Sequence, residues 1–588
     1  MSINSGRITF AECMKRAVWI LFTVIIGYLL IASIFSTCYY GGYIFPTASG
    51  TTEMVAGHTF YIRDNFIQHI VLFVFFSFLL LSCKMESIQK IFHAKYFEVA
   101  VCILAGVVSV LIVLFAQCAP SSDPKYVVDA AAAILQNDFS DLEEGGYLFI
   151  CPHQMGIVIY FQILSVLFGS MNYIAFELIN VIWIVLAYYI LVKLAGILWD
   201  RRQDNCATAV LCLLFLPYLF YATYLYGTVV GLTFALLSFY TMFLFERNAK
   251  LPYLFICGLS MGIATVLKSN HQIFLIAEIV YLLCSCFPVK NFSAKNTERK
   301  KIYRKLMLLL SIFICFCLCS AGVKQYEKYI NNGSAISGIP MTAYIAMGLQ
   351  DGKLAPGWYN GYNSSIYEEN DYDYEKADSA AKNEIKKIVS GYPQDITTSI
   401  SFFVKKVSAQ WNNPTFRSLK IIEDGKLSWI TSGTGRYIYI FFVNLLHTWL
   451  LAGTFLYGVM RFRVCSMKEL LLPVTFIGGI LFHLFWEAGA SYAIPYILLL
   501  LPLCVCGYGE WRQWLLNRKN EILENGWKSE PGVCLQRKIM AAAVVVIVVC
   551  ALSYTEPFAK MFARNENTGA FDTFTQEPVN EEDALPGE

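Results

Sequence analysis

Charge is what this sequence has least of. Only 15% of the 588 residues are Asp, Glu, Lys or Arg, whereas 57% are hydrophobic. Soluble globular domains rarely show this balance, so the composition predicts an integral membrane protein. The net charge of +2 creates no overall field that would attract nucleic acid, and we expect no nucleic-acid partner.

Motifs for several common chemistries are absent as well. The sequence has no CxxC pair, no Gly-rich phosphate loop, no nucleophile elbow and no zinc-binding helix motif. Its 19 cysteines lie mostly inside apolar runs, where a thiol packs as a small hydrophobe. Cys118 and Cys151 bracket the first large loop and could pair in an oxidising compartment. We expect no metal and no bound cofactor.

Long apolar runs dominate what is present. A helix needs about 20 apolar residues to cross the roughly 30 Å hydrocarbon core, where it must satisfy its own backbone hydrogen bonds. We predict an all-α polytopic protein with about thirteen transmembrane helices, near residues 17–37, 66–82, 98–117, 173–198, 206–222, 228–245, 251–267, 271–287, 306–324, 437–459, 470–487, 491–508 and 539–555.

The basic residues give the orientation, because Lys and Arg in short loops stay on the cytoplasmic side. With this set of spans the basic clusters fall on one side, including Arg201 and Arg202 after the fourth span and the most basic segment, residues 289–305. The amino terminus is therefore predicted to be cytoplasmic and the carboxyl terminus outside.

The first outer loop contains two further helical patterns. Residues 157–168 are apolar but too short for a full span, and counting them as one would put Arg201 outside. We interpret them as a juxtamembrane helix that is entered at Pro152 and ended by Gly169. Residues 125–137 place apolar side chains on one helical face, which is typical of a helix lying on a membrane surface.

Asp123 is the first candidate for chemistry, in CAPSSDPKY at the start of this loop. A carboxylate partly out of water can have a raised pKa and act as a general base toward a hydroxyl or amide acceptor. The same residues also fit a helix start, with Pro124 at the first helical position. Both interpretations are open, and they are compatible.

Lys268 is the second candidate, at the predicted outer end of the seventh span in LKSNHQ. It breaks the sidedness rule, and its compact charge with three donors suits a lipid-linked phosphate. Asn270 and His271 beside it are candidates for substrate contact. The alternative is a lysine that extends to the membrane interface without a ligand.

Glu487 is the third candidate, at the outer end of the eleventh span in FWEAGASYAIPY. Together with Tyr492 it could line a pocket for a lipid phosphate or a sugar, although interfacial anchoring explains a tyrosine equally simply. His153 and Gln154 in CPHQMG offer another hydrogen-bonding pair. His153 has no partners spaced as metal ligands, so no metal is assigned to it.

Asp371 and Asp373 form a DxD pattern that soluble sugar transferases use to hold a metal and a nucleotide diphosphate. Nucleotide sugars are cytoplasmic, whereas this loop is predicted outside. We therefore interpret the pair as a solvated acidic turn within EENDYDYEK.

Taken in order, these segments resemble the GT-C class of membrane glycosyltransferases, and within it the family 39 relatives, kin of the protein O-mannosyltransferases and the lipid A aminoarabinose transferases. The likeness covers roughly residues 98–508, and it is carried by SSDPKYVVDAA, YLFICPHQMG, YLYGT, LKSNHQIF, IPMTAYIAMGL, GWYNGY, WNNPT and WEAGASYAIPY.

The resemblance implies transfer of a sugar from a polyprenyl-phosphate donor to a cell-envelope acceptor on the outer face, usually with inversion. It implies that Asp123 is the base and that Lys268 contacts the donor phosphate. The partners would be the lipid-linked sugar, membrane lipid and a glycan, lipid or protein acceptor. The likeness to bacterial members points to a bacterial plasma membrane.

Two departures from the family pattern are visible. A second acid, often found after the fifth span, is replaced in YLYGT by Gly227 and Thr228. Where relatives often have an arginine before the tyrosine of the last motif, this chain has Ser491. Both departures concern the binding of the donor phosphate.

The expected organisation has five parts. These are a two-span extension (residues 1–97), a GT-C-like core that includes the first outer loop at 118–172 (98–324), an outer loop subdomain (325–436), the C-terminal spans (437–555) and a disordered acidic tail (556–588).

Three other functions also fit a protein with many spans and few charges. A secondary transporter or a lipid or polysaccharide flippase would be expected to show internal repeats and polar or broken helices at mid-membrane, and neither is clear in the sequence. A polysaccharide polymerase or ligase shares lipid-linked donors and large outer loops. An acid at the start of the first large loop favours the GT-C interpretation over it.

Overall fold

The computed structural model describes residues 10–46, 52–63, 69–70, 73, 90, 92, 94–286, 295–352, 354–431 and 433–525. Helices dominate this part of the chain, which confirms the predicted all-α polytopic class. The predicted span at 539–555, the predicted tail at 556–588 and all but three residues of the predicted span at 66–82 lie outside the described residues.

Within the described residues, nine helices are long and apolar enough to cross a membrane, or up to eleven if each of two bent helix pairs counts as one span. The count of thirteen is therefore not confirmed. The nine are Glu12–Phe35, Phe97–Ala116, Tyr173–Trp199, Gly227–Asn248, Ser269–Cys286, Arg299–Ile330, Ile438–Arg461, Met467–Phe485 and Ala490–Arg518.

The amino-terminal half runs from α1 to the long helix α12. Its elements in chain order are α1 (Phe10–Phe35), β1 (Ser36–Pro46), β2 (Thr52–Arg63), α2 (Phe97–Ala116), α3 (Asp123–Leu135), α4 (Tyr147–Ile150), α5 (Met155–Phe168), α6 (Tyr173–Trp199), α7 (Arg202–Leu214), α8 (Leu216–Phe220), α9 (Gly227–Asn248), α10 (Leu251–Leu267), α11 (Gln272–Cys286) and α12 (Lys295–Ile330).

The segment predicted to lie outside, residues 325–436, is named the outer region here, and the last long helices follow it. Their elements are α13 (Met341–Gly348), α14 (Tyr362–Glu368), α15 (Tyr374–Gly391), α16 (Ile396–Trp411), α17 (Ser418–Ile421), α18 (Ser428–Thr431), α19 (Gly433–Arg461), α20 (Leu471–Phe485) and α21 (Ala490–Asn525).

The first outer loop folds into the short helices that its periodicity predicts. The apolar face of α3 packs against α5, with Val127, Val128 and Phe161 in one buried cluster. Helix α5 ends at Phe168 and is followed by Gly169, whose φ of +91° suits glycine. The pair Ser140–Ile150 and Pro152–Phe168 is bent by 94°. Residues 157–168 are therefore not part of a single straight span.

The possible Cys118–Cys151 disulfide is not formed, and both residues are free thiols. Cys118 packs into the main core, whereas the Cys151 Sγ lies 3.7 Å from the Tyr344 hydroxyl. The two side chains thus have separate surroundings, so their position at the two sides of the loop did not imply contact.

A β-hairpin between the first and second predicted spans was not anticipated. Its antiparallel strands β1 and β2 carry a register shift between Gly41 and Tyr43. The hairpin bonds to the outer region: Cys38 N–H donates to the Asn412 carbonyl at 3.0 Å, and Thr59 N–H to the Leu354 carbonyl at 2.8 Å. It therefore fastens the start of the chain to the outer region.

An ion-pair network closes the opposite end of the bundle. Glu510 pairs with Arg201 at 2.8 Å and with Arg461 at 2.9 Å, and Arg461 also pairs with buried Glu469 at 2.7 Å. The loops that carry Arg201 and Arg461 therefore lie at one end, in agreement with the predicted parity. Which end is cytoplasmic stays a prediction.

Helices α10 and α12 pack closely because glycines face the contact. A Cβ at Gly258 would lie 2.6 Å from the Ser311 carbonyl oxygen, and one at Gly262 would lie 2.8 Å from that of Cys315. These glycines are four residues apart on one helical face, the small-residue spacing that lets membrane helices approach.

We predict that Gly258→Ala combined with Gly262→Ala lowers the thermal unfolding midpoint of the detergent-solubilised protein, because overpacking costs about 1–3 kcal/mol. The matched control is Gly322→Ala on α12, where an added Cβ meets nothing within 4 Å. That control is expected to melt at or above the wild-type temperature, and an unchanged double variant would contradict the packing argument.

Candidate active site

Four chain segments meet at the end of the bundle opposite the ion-pair network. They are the start of α3, the turn before α9, the turn between α10 and α11, and the turn between α20 and α21. Each contributes one of the side chains singled out below.

Asp123 is the first residue of α3 and is open to solvent, yet protein surrounds it closely. The Tyr147 hydroxyl donates to its Oδ1 at 3.4 Å, and Tyr226 forms a second hydrogen bond. Desolvation raises the pKa of Asp123, while nearby Lys268, the two phenols and Arg417 oppose that rise. The carboxylate is thus a proton acceptor of increased basicity.

The helix-cap interpretation of this sequence accounts for the chain geometry but not for the carboxylate. Ser122 occupies the N-cap with φ of 55° and no side-chain capping hydrogen bond, and Pro124 lies in the first turn. Among the hydrogen bonds of the described residues, the carboxylate of Asp123 accepts from phenols and not from the helix backbone. Positive φ at a non-glycine residue is strained backbone of the kind found at functional sites.

Lys268 contacts the other side chains of this site. Its Nζ donates to Thr228 Oγ1 at 2.6 Å and lies 4.7 Å from the ring centroid of Tyr226 and 5.5 Å from that of Tyr492. Burial lowers the pKa of Lys268 to about 8, while Asp123 and Glu487 act in the opposite direction. These contacts direct the Lys268 ammonium toward side chains of the site, and its role toward a lipid phosphate stays a prediction.

A close approach of two backbones fixes this lysine. A Cβ at Gly227 would lie 2.1 Å from the Leu267 carbonyl oxygen and 3.0 Å from the Lys268 Cβ. Only glycine therefore lets the start of α9 pack against the end of α10 here.

Tyr226 contacts both the Asp123 carboxylate and the Lys268 ammonium. Its ring faces the Lys268 ammonium, while its hydroxyl bonds to Asp123 and accepts a hydrogen bond from Gln154 Nε2. One residue therefore contacts both charged side chains, and the structure brings Asp123 and Lys268 together at a single site.

Glu487 supplies a second carboxylate. Its Oε1 accepts a hydrogen bond from the Tyr492 hydroxyl at 3.2 Å, and Tyr492 stacks on His483 with ring centroids 5.6 Å apart. Burial raises the pKa of Glu487 to about 7, and Asp123 raises it further against Arg417 and Lys268. At neutral pH this carboxyl is divided between its neutral and ionised forms.

Arg417 is a site residue that the sequence did not reveal. It affects the pKa of both Asp123 and Glu487, and its guanidinium lies 4.9 Å from the ring centroid of Tyr40. It follows the quoted WNNPT segment by two residues. The sidedness rule that marked Lys268 applies to short loops, so it gave no signal for a cation in a long one.

The remaining predicted residues surround this centre. The His153 ring meets Tyr344 edge to face at 6.3 Å, and its Nε2 lies 3.2 Å from Gln154 Nε2. Burial lowers the pKa of His153 to about 4, so it is neutral at physiological pH. Asn270 lines a small pocket beside Lys268, and so does His271, which is also packed in the core with its Nδ1 3.2 Å from the Ala264 carbonyl oxygen.

The two departures from the family pattern lie at the starts of α9 and α21. Thr228, which stands where relatives often have an acid, contacts Lys268 directly, and Glu487 is a second carboxylate near this lysine. Ser491 replaces an arginine of relatives, and Arg417 brings a cation close to Glu487 from another segment.

Asp371 and Asp373 form an exposed turn, as the sequence indicated. Asp373 caps α15 by accepting from the backbone N–H groups of Glu375 and Lys376. Within the described residues, no group of three or more His, Cys, Asp and Glu side chains is arranged to hold a metal ion.

Comparison with known proteins adds a family likeness. Residues 157–321 match the family described as dolichyl-phosphate-mannose-protein mannosyltransferase. No curated protein matches the chain.

Two solved structures, both of the oligosaccharyltransferase of Archaeoglobus fulgidus, are distantly similar. One is AglB in complex with an inhibitory peptide and a dolichol-phosphate, at 13% identity and a TM-score of 0.38. The other is tethered to an acceptor peptide containing the NVT sequon through a disulfide bond, at 12% identity and a TM-score of 0.40. Each match covers 80% of this chain but only 55% of the archaeal chain, so this protein spans about half the length of those enzymes.

The matched family segment contains Tyr226, Thr228 and Lys268 but not Asp123 or Glu487. Over residues 157–321, the family match confirms the resemblance to GT-C membrane glycosyltransferases that the motifs indicated.

Proposed function

We propose that this protein is a membrane glycosyltransferase that transfers a sugar from a polyprenyl-phosphate donor to a cell-envelope acceptor, with Asp123 as general base. The observation that carries the proposal is Tyr226, which contacts both the Asp123 carboxylate and the Lys268 ammonium. A base for the acceptor and a cation for the leaving group therefore lie one side chain apart.

The reaction is a single displacement at the anomeric carbon. Asp123 takes the proton of the acceptor hydroxyl or amide as the acceptor oxygen or nitrogen forms its bond to the sugar. The bond between the sugar and the phosphate oxygen breaks, and its electron pair leaves with the lipid phosphate. One displacement inverts the anomeric configuration.

The leaving phosphate needs positive charge. Lys268 provides a compact cation with three donors, and Arg417 provides a planar fork that suits phosphate. Thr228 orients the Lys268 ammonium, while Glu487 and Tyr492 hydrogen-bond to the donor near its phosphate. Asn270, His271, His153 and Gln154 complete the wall around the substrate.

A site on the outer face requires a donor of this kind. Nucleotide sugars stay in the cytosol, so a transferase that works on the outer face needs a donor already activated and carried across on a lipid. We place the site on the outer face of a bacterial plasma membrane, with the amino terminus in the cytoplasm and the carboxyl terminus outside. The direct test is mass spectrometry of envelope glycans from cells with and without this protein, in which loss of a sugar modification is expected.

Asp123→Asn should abolish transfer, because the amide keeps the shape of the carboxylate but cannot accept the proton. We expect a fall in kcat of about 10²–10⁴-fold, measured with radiolabelled polyprenyl-phosphate sugars and an envelope fraction as acceptor. Asp129→Asn on the same helix is the control, since Asp129 pairs with Lys125 instead. Full activity of Asp123→Asn would remove this residue from the mechanism.

Lys268→Met and Arg417→Met should each weaken donor binding, since hydrogen bonds to charged groups are worth about 1.5–3 kcal/mol. We expect donor KM to rise at least about tenfold in each. Lys125→Met is the control, because its ammonium pairs with Asp129 on the exposed face of α3. Unchanged donor KM in Lys268→Met would contradict the phosphate role.

The pH dependence of kcat/KM for the donor should show two limbs. On the acid side the rate rises as Asp123 ionises, above the usual carboxyl range because burial raises its pKa. On the alkaline side it falls, since Glu487 gains a negative charge through pH about 7 and Lys268 loses its positive charge through about 8. Both changes disfavour an anionic donor.

Glu487→Gln separates the two contributions. In the wild type the limiting slope of log kcat/KM against pH on the alkaline side approaches about −2, one proton for each group, and in Glu487→Gln it is about −1. Equal slopes in the two proteins would show that ionisation of Glu487 does not affect the donor.

A further inference from the structure

Lys406 on α16 is a buried lysine that the mechanism above does not use. Its side chain is 1% exposed, and its ammonium donates to the carbonyl oxygens of Gly348, Leu484 at 3.0 Å and Trp486 at 2.9 Å. Since an ammonium has three donors, all of its hydrogen-bonding capacity goes to backbone.

The three carbonyls belong to two helix ends. Gly348 is the last residue of α13, Leu484 lies in the last turn of α20, and Trp486 is the C-cap of α20. The final carbonyls of a helix have no partner within it and carry partial negative charge. A single buried lysine side chain therefore bonds to carbonyls at both ends and joins the outer region to a membrane helix.

The surrounding backbone is shaped around this lysine. A Cβ at Gly357, whose φ is +71°, would lie 2.6 Å from the Lys406 Cε. A Cβ at Gly348 would lie 2.5 Å from the carbonyl carbon of Trp486. Glycine at these two positions permits the close contact between α13, the Lys406 side chain and the end of α20.

The residues before and after Glu487 both form backbone hydrogen bonds with the outer region. The carbonyl of Trp486 before it accepts from Lys406, and the N–H of Ala488 after it donates to the Gly357 carbonyl at 2.8 Å. Its own carbonyl oxygen lies 2.9 Å from His483 Nδ1. The backbone that directs this carboxylate toward Asp123 and Lys268 is therefore fastened on both sides.

We infer that Lys406 is a positioning residue, which clamps the carbonyls of Leu484 and Trp486 so that Glu487 is held against the donor. The inference rests on the proposed function for its effect on catalysis, whereas its structural part stands without it. The outer region thereby sets the geometry of the donor site through one side chain.

The test compares Lys406→Met, which keeps the aliphatic stem and removes the donors, with Lys405→Met. Lys405 is the neighbouring lysine of the same helix, and its backbone carbonyl, not its ammonium, bonds to Tyr61. The full-length variants are purified in detergent and their carboxylates are labelled with a water-soluble carbodiimide and glycine ethyl ester. Peptide mass spectrometry then measures labelling of Glu487, with buried Glu469 at the other end of the bundle as internal reference.

We expect labelling of Glu487 relative to Glu469 to rise about fivefold or more in Lys406→Met, as a freed segment opens locally, and to stay at the wild-type level in Lys405→Met. Donor KM should rise about tenfold in Lys406→Met only. If Lys406→Met does not accumulate as folded protein, Lys406→Arg carries the test, because it keeps the cation but cannot direct donors at all three carbonyls.

The outcomes separate the inference from the proposed function. Labelling ratios equal to wild type in both Lys406 variants would overturn the inference even if the wild type transfers sugar. A parallel rise at Glu487 and Glu469 would also overturn it, since it would show general unfolding. A selective rise at Glu487 in Lys406→Met would support the clamp. If the wild type itself showed no transferase activity, the same result would support the clamp and reject the proposed function.

Discussion

The arrangement of the site depends on keeping the Lys268 ammonium charged in surroundings that exclude most water. Burial alone favours the neutral amine, and the pKa of Lys268 falls to about 8. Two carboxylates and two aromatic rings offset part of this cost, since Asp123 and Glu487 attract the charge and Tyr226 and Tyr492 face it. Leaving a buried charge without such partners costs about 3–5 kcal/mol. The four turns are therefore held together around one cation.

The Lys268 ammonium also affects the pKa of both carboxylates. Lys268 and Arg417 lower the pKa of both acids, whereas burial raises it. In the proposed mechanism, a donor phosphate that binds between them takes up positive charge that the carboxylates otherwise share. Binding of an anionic donor is thus coupled to the basicity of Asp123, because withdrawal of its stabilising cations makes it a stronger proton acceptor.

The sequence was most informative where the bilayer imposes rules. Apolar run length predicted the long helices, and the placement of basic residues marked Lys268 as exceptional. Run length did not predict helix bends: the predicted span at 206–222 is a pair of helices bent by 59°. The β-hairpin bonds to residues far along the chain. Arg417 lies in a long segment predicted to lie outside, where the sidedness rule for basic residues does not apply. Lys406 differs from Lys405 only in its long-range contacts. No local pattern encodes these three features.

Asp123 and Glu487 have different surroundings, which suit them to different roles in the proposed mechanism. Asp123 is open to solvent, so an acceptor can approach it, and its hydrogen bonds come from the hydroxyl groups of Tyr147 and Tyr226. Glu487 is fastened through its backbone, lies beside Tyr492 and titrates near pH 7, so it is partly neutral where the enzyme works. A base must be ionised and within reach of the acceptor, whereas a group that faces an anionic donor binds it best when neutral. In the proposed mechanism, these requirements suit Asp123 to proton abstraction and Glu487 to donor binding, although both are carboxylates in one site.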